Sequence, residues 1–389
     1  MRFTPRAVTG LAVTAACTLT LMACGSSDDS GAETQAAGGD GTLSAKVAVI
    51  NDVSGALAFV GGEQQNAAKL AIEDVNGSDL GVELTGDFKD SQSKPASAVS
   101  QTQSALSDGA DAILGFNLTE AGNAVQPLVG SDGVPTIFFQ VTQLPDRTDN
   151  VFSMGPPTRR VSELGARAVL DAVKPRTAAI LWVQQPTLTE AAEAFRSTFE
   201  AAGVKVPVYE GASLETTNFD TQVAKAVAAN PDVVAIAGTG PQDGAMLPAL
   251  RSRGFRGAIL AQQAADAPST RKAAGDAFDG LYVGTYWNAA ASNADARKFL
   301  DLYARAYPSD PPPDVYALQA WDAVHAYAQA VKRAGSTDHE KVNEALASET
   351  FPAAMQDEIS FASDGFADLG GYVVRMTPDG ADVLVRRQG

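Results

Sequence analysis

Residues 46–50 read Lys-Val-Ala-Val-Ile, and residues 51–55 read Asn-Asp-Val-Ser-Gly. A short apolar run with no polar alternation is the pattern of a strand buried on both faces, and the residues after it carry turn chemistry. From 64 to 75 the apolar positions change to helical spacing, with Ala67, Leu70, Ala71 and Val75 on one face. Strand, loop and amphipathic helix make the first step of a parallel sheet. Outward from there, strand-like runs recur at 82–88, 112–114, 136–139, 178–182, 204–209, 233–237, 258–260 and 281–283, with final strands at 359–361 and 372–376. Helical patterns at 96–106, 161–173, 189–202, 219–229 and 244–253 separate most of them. This alternation predicts an α/β protein whose parallel sheets are covered by helices on both faces.

The chain also resembles itself. Residues 81–116 and 203–239 each run from a Gly-Val strand through a polar loop, a helix and an Asp-containing turn to an apolar strand and a Gly loop. An offset of about 122 residues is too long for a solenoid repeat and suits two lobes of one plan. Ligands of open α/β sheets sit beyond the carboxyl ends of the strands. Two doubly wound lobes facing each other therefore make a cleft, and flexible crossings between them make a hinge.

Composition excludes much else. Of 389 residues 46 are acidic and 29 basic, a net charge of −17, which argues against a nucleic-acid partner. The two cysteines, Cys17 and Cys24, cannot build a zinc cluster or a disulfide scaffold, and two histidines leave little for metal or triad chemistry. No cofactor is expected, and no enzyme.

The N-terminus has the three parts of an export signal: Arg2 and Arg6, an apolar stretch, and Ala23 before Cys24. Thr9, Gly10, Thr14, Thr18 and Thr20 interrupt that stretch, so it makes a poor permanent span. Leu-Met-Ala-Cys at 21–24 resembles a bacterial lipobox, with Met22 an unusual occupant. The resemblance implies removal of residues 1–23 and a diacylglycerol on Cys24, which would anchor the protein to the outer face of the cell membrane. Residues 24–41 read as a flexible tether with no core-forming residues.

Several segments, in this order, are similar to the leucine/isoleucine/valine-binding protein family, the type I periplasmic binding proteins serving ABC transporters. They are VAVI at 47–50 with VSG at 53–55, Gly61 and AKLAIEDVN at 68–76; DSQSKP at 90–95; DGADAILG at 108–115; and GVPT at 133–136. Later come FDTQVAK at 219–225, GLYV at 280–283 and PDVYA at 313–317. The resemblance covers about residues 47–346. It implies three interlobe crossings, near 153–157, near 284–287, and just before the final strands. The lobes would be 42–154 plus 286–357, and 155–285 plus 358–389.

It also implies where a ligand is held. Phe59 stands one position from the place where the family has an aromatic, with Val60 in the aligned place; the competing reading is an aromatic tucked into its own lobe. Asn117 and Thr119 follow the strand at 112–114. Thr119 would cap a helix beginning at Glu120 and present a hydroxyl and free N–H groups to a carboxylate, or be a plain N-cap. Gln140 and Thr142 follow the strand at 136–139. Thr187 and Thr239 stand where the family has tyrosines, and Gln263 where it has the acid that pairs with an ammonium. Asp266, three residues on, is the alternative acid. Tyr286 and Trp287 sit at the second crossing.

Other motifs weigh less. Residues 238–244 brush a dinucleotide fingerprint with the third glycine one residue late, and neither a Walker A sequence nor a Gly-x-Ser-x-Gly elbow is present. Asn117-Leu-Thr119 matches a glycosylation sequon, discounted for a bacterial lipoprotein. His325 shares a helical stripe with Trp321 and Leu318, the place of a packing histidine. His339 lies in a capping box at 337–340, and the pairs Glu73-Asp74 and Asp357-Glu358 read as solvated faces. The expectation is an extracytoplasmic, monomeric, lipid-anchored solute-binding protein. It would close on an amino acid, amide or small carboxylate and deliver it to an ABC permease with its ATPase subunits. The alternative is a sensor that hands its closed form to a receptor or kinase.

Overall fold

The structure, a computed structural model, describes residues 41–387. The export segment, Cys24 and the tether up to residue 40 lie outside the described residues.

The first lobe holds β1 (Leu43–Asn51), α1 (Ala58–Asn76), β2 (Val82–Asp90), α2 (Pro95–Ser107), β3 (Ala112–Gly115), α3 (Thr119–Asp132), β4 (Thr136–Phe138) and β5 (Val151–Ser153). Its parallel sheet has the order β2-β1-β3-β4-β5. The chain then crosses into α4 (Thr158–Val173), β6 (Thr177–Val183), α5 (Pro186–Ala201), β7 (Lys205–Ala212), α6 (Asp220–Ala228), β8 (Val233–Ala237), α7 (Gly240–Ser252), β9 (Ala258–Ala261), α8 (Pro268–Ala274) and β10 (Tyr282–Thr285). Within the second sheet these strands run β7-β6-β8-β9-β10, the order of the first lobe repeated. The internal repeat falls on β2-α2-β3 and β7-α6-β8, as its shared plan predicts.

Period-two alternation explains why both faces are covered. Val47 and Val49 of β1 enter the core under α1, while Ala48 and Ile50 enter the one under α2 and α3. β3 and β4 do the same, Leu114 and Ile137 facing one way and Ile113 and Phe138 the other. After β10 the chain returns to the first lobe as α9 (Ala294–Ala306), α10 (Val315–Ala334) and α11 (His339–Ser348), with α10 packed along α1.

The return to the second lobe is later than the sequence suggests. β11 (Phe351–Pro352) pairs with β12 (Glu358–Ile359), and Ile359 and Phe361 are buried in the first lobe's core. Leu369 stays in that core as well, and only at β13 (Gly371–Thr377) does the chain join the second sheet. The third crossing thus lies near residue 370, not at the expected boundary of 358. Isolated apolar residues beyond 358 read as strand but carry no mark of which core takes them. β5, too short to show a pattern, and the antiparallel hairpin of β13 with β14 (Gly380–Arg387) were not anticipated.

Two smaller expectations change. Asp74 is not simply solvated: it accepts from His325 Nε2 at 3.1 Å and pairs with Lys298 at 2.7 Å, tying α1 to α10 and α9. The hydrogen bond from His325 leads the effects that hold its carboxyl below the usual range. His325 also packs on Trp321, with ring centroids 4.4 Å apart, as its stripe predicts. The cap of α11 is Asp338, whose Oδ1 accepts from Lys341 N at 3.2 Å, one residue later than a box opened by Thr337. Among the described residues no helix is long and apolar enough to cross a membrane, and no group of three or more His, Cys, Asp or Glu is placed to hold a metal.

Candidate ligand-binding cleft

A cavity of about 570 Å³ opens between the lobes at the carboxyl ends of both sheets. Its first-lobe wall comes from the start of α1 (Leu57, Phe59, Val60), the β3–α3 loop (Asn117, Leu118) and Gln140 after β4. The second-lobe wall comes from the start of α5 (Gln185, Thr187, Leu188), the loop at 214–217, the β8–α7 turn (Gly238, Thr239) and the residues after β9 (Gln262, Gln263). Tyr286 from the second crossing and Tyr316 from the first turn of α10 complete it.

Seven of the ten expected ligand residues line this cavity: Phe59, Asn117, Gln140, Thr187, Thr239, Gln263 and Tyr286. Three do not. Thr119 is the first residue of α3 with Leu118 at the cap, and its buried Oγ1 faces the Thr142 backbone N at 3.5 Å. Thr142 turns its hydroxyl to Thr187 Oγ1, 3.2 Å away. Trp287 is buried, its Nε1 without a partner, outside the cavity wall. The resemblance placed all three beside the cleft, but the Thr119 and Thr142 hydroxyls meet protein neighbours and Trp287 packs into the first lobe's core.

The β3–α3 turn is strained and braced. Phe116 is a buried non-glycine residue at φ +62°, a conformation that persists only where its surroundings enforce it. Its ring meets Phe138 edge-on at 5.6 Å. Asn117 Nδ2 donates to Asn51 Oδ1 at 2.7 Å and Asp52 Oδ2 at 3.3 Å, and Asp52 in turn accepts from Ser91 Oγ at 2.6 Å. Asn51 at the end of β1 and Asp52 just after it therefore serve as a foundation under Asn117, whose Oδ1 has no partner.

In the second lobe, two adjacent glutamines divide their tasks. Gln262 Nε2 donates to Gly238 O at 2.6 Å and its Oε1 accepts from Ala264 N at 3.1 Å, joining the β8 and β9 loops. Gln263 is 4% exposed, and both its amide atoms are unpartnered in the cavity wall. A second brace runs from Thr239 to Gln242, whose Nε2 donates to Leu214 O at 2.8 Å and so holds the 214–217 loop over the cleft. Neither Gln242 nor Gln262 was foreseen; Thr239-x-x-Gln242 carries the capping-box pattern at the start of α7 and was the available signal, whereas Gln262 has none.

Tyr316 was missed as well. Asp314 caps α10 by accepting from Tyr316 N at 2.8 Å, which brings that tyrosine to the cleft; Asp314 followed by the apolar run of α10 was the available signal. Tyr286 fixes the hinge: its buried hydroxyl donates to Pro156 O at 3.3 Å and Pro157 O at 3.2 Å, linking the second crossing to the first. Burial pushes the phenols of both tyrosines far up. The alternative acid, Asp266, does not line the cavity. Its Oδ2 accepts from Asn288 Nδ2 at 2.8 Å, and burial raises its pKa to about 7. Among the described lining residues Glu215 is the one acidic or basic side chain, and it is exposed.

The 3.2 Å contact between Thr142 and Thr187 joins the lobes without Thr142 touching the cavity. Thr142→Val keeps the shape and removes the bond, so it should weaken ligand binding about 3- to 10-fold, the worth of one hydrogen bond of about 1 kcal/mol. Calorimetric titration checks this, and unchanged affinity would show that the contact does not favour closure.

Residues 44–381 match a family profile described as periplasmic binding protein. The leucine-, isoleucine-, valine-, threonine- and alanine-binding protein of Pseudomonas aeruginosa is 26% identical over 317 residues, which cover 79% of this chain and 83% of that protein. Among solved structures, a leucine-binding protein of Thermotoga maritima superposes with a TM-score of 0.79 at 24% identity, covering 88% of this chain and 99% of its own. A solute-binding protein of an ABC transporter from R. palustris, in complex with benzoate, gives 0.79 at 20% identity over 89% and 96%. The two-lobed fold and the cleft define a hinged binding protein. The chain belongs to the type I periplasmic binding protein family.

Proposed function

We propose that this protein is the extracytoplasmic solute-binding component of an ABC importer, held to the membrane through an acylated Cys24. It closes its lobes on a small polar solute, within the range of amino acids, amides and small carboxylates. The observation that carries the reading is the buried, unpartnered Gln263 amide in a cavity walled by both lobes. A polar group left unsatisfied costs about 1–3 kcal/mol, which a ligand touching both walls relieves in the closed form alone. The relatives support the same range, since one is named for aliphatic amino acids and another holds benzoate.

No described cavity residue pairs a nucleophile with a base, which supports binding without turnover. Thermal unfolding against a panel of amino acids, amides and small carboxylates tests the proposal. A ligand at 100 times its Kd should add about 2.7 kcal/mol of stability. Small-angle scattering should show a more compact molecule with the same ligand. Chemical conversion of the bound solute would sink the reading. Loss of uptake on deleting the gene separates an importer from a sensor, and Cys24→Ser should release the protein from the membrane.

A further inference from the structure

Charge is divided unequally between the lobes. Residues 41–154 and 286–369, the first lobe, carry 27 acidic and 11 basic side chains; residues 155–285 and 370–387, the second, carry 15 and 16. One wall of the cleft thus belongs to a lobe whose field repels anions. Among the described lining residues none is Lys, Arg or His, and Glu215, the one acid, is exposed on the 214–217 loop. The buried carboxyls nearby do not reach the cavity: Asp266 is bonded to Asn288 off the wall, and neither Glu63 nor Asp314 lines it. The rest of the wall is largely apolar or aromatic, with Leu57, Val60, Leu188 and Tyr316 among its residues. A buried charge of either sign is therefore unfavourable here. A carboxylate would meet no cation and an ammonium no buried carboxylate, so each would lose its water without a counter-charge.

The wall offers hydrogen bonds of fixed polarity instead. Gly61 O can only accept, so the bond it takes from Asn51 Nδ2 at 3.1 Å orients that amide, and Asn51 Oδ1 in turn takes Asn117 Nδ2 at 2.7 Å. Asn117, 8% exposed, is left with its Oδ1 as a buried, unpaired acceptor that calls for a donor on the ligand. In the opposite wall Gln263, 4% exposed, offers an acceptor and a donor, both unpaired. The starts of α1 and α3 have no side-chain cap, and their first N–H groups are donors that a carbonyl oxygen meets without bringing a charge. A carboxylate only accepts and an ammonium only donates, whereas an amide does both and stays neutral. We propose that the natural ligand is uncharged throughout, an amide on an apolar body, with Asn117 and Gln263 as the residues that select it. This rests on the solute-binding reading above and narrows it.

Calorimetric titration of the full chain with two matched series tests it. One series is 4-methylpentanamide, 4-methylpentanoate, 4-methylpentylamine, leucine and 5-methylhexan-2-one. The other is 3-phenylpropanamide, 3-phenylpropanoate, 3-phenylpropylamine, phenylalanine and 4-phenylbutan-2-one. In each series that binds, the amide should bind most tightly, with the acid, the amine and the amino acid at least about 100-fold weaker. The ketone has the amide's shape and carbonyl but no donor, so it should be roughly 10-fold weaker for leaving the Asn117 acceptor unpaired. Gln263→Met keeps the reach of the side chain and removes its amide; it should weaken amide binding roughly 10-fold and narrow the preference over the ketone. A charged member binding the unaltered protein as tightly as its amide overturns the proposal. So does a ketone of equal affinity, an amide that binds the Gln263→Met variant unchanged, or no binding by any probe. In that last case a stabilising solute from the wider panel leaves the solute-binding reading standing, and failure of the panel too removes both.

Discussion

Gly115→Ala should lower the free energy of unfolding by more than about 4 kcal/mol or prevent folding, although it adds a single methyl group. Gly115 ends β3 at φ +136°, a conformation L side chains rarely adopt. An added Cβ would collide with the Ile50 carbonyl oxygen and lie 2.7 Å from its carbon. That oxygen is not free to move, because it accepts the Phe116 N–H at 3.0 Å at the start of the strained turn beneath Asn117. Relief would separate β1 from β3 and displace the first-lobe wall of the cleft. Gly109→Ala supplies the control. It also lies at positive φ, +72°, but nothing stands within 4 Å of its added Cβ. Its cost should be about 1–2 kcal/mol, the strain of a left-handed residue alone. Urea unfolding midpoints of the two variants check the difference, and equal losses would show that the close approach of β1 is not the cause.

Asp322→Ala should cost about 3 kcal/mol, and more towards acid pH. Asp322 is buried on α10, and its two oxygens accept the backbone N–H groups of Ala354 and Met355 at 2.7 and 2.8 Å. These bonds hold the segment between β11 and β12, where Ala353, Ala354 and Met355 are themselves in the core. Alanine leaves two buried donors without acceptors, each worth about 1–3 kcal/mol. Burial raises the Asp322 pKa to about 7 from an ordinary value of 3.8. The folded protein therefore holds a proton that the unfolded chain releases, and this group adds stability as the pH falls from about 7 towards 4. The variant has no such gain, so the two unfolding free energies should diverge from pH 8 to pH 5. A constant gap would show that Asp322 is ionised when buried.

These two residues also mark where a sequence stops being informative. Gly115 stood within the DGADAILG segment, yet nothing local says that its neighbour is the carbonyl of residue 50. Asp322 sits among apolar helical residues with no motif, and its partners come 32 and 33 residues later.

What the sequence determined by itself was the architecture. Residue alternation, helical spacing and turn chemistry are local consequences of burial and backbone sterics, so buried strands and their covering helices were legible one at a time. The 122-residue repeat then gave two lobes with the same strand order. The loops after the strands were legible too, because ligand sites of such sheets lie beyond the carboxyl ends; the individual residues came from the family resemblance, and seven of them line the cavity. Tertiary structure alone decided which polar atoms remain free. Gln262 and Gln263 are chemically identical and adjacent, yet one meets the carbonyl of Gly238 from another loop and the other is buried in the cavity wall beside Tyr316 with neither amide atom paired. Thr119 and Thr142 were turned aside in the same manner, each by a neighbour distant in sequence. Hydrogen bonds act over about 3 Å between groups whose approach is set by the packing of whole elements, and no local pattern encodes that distance.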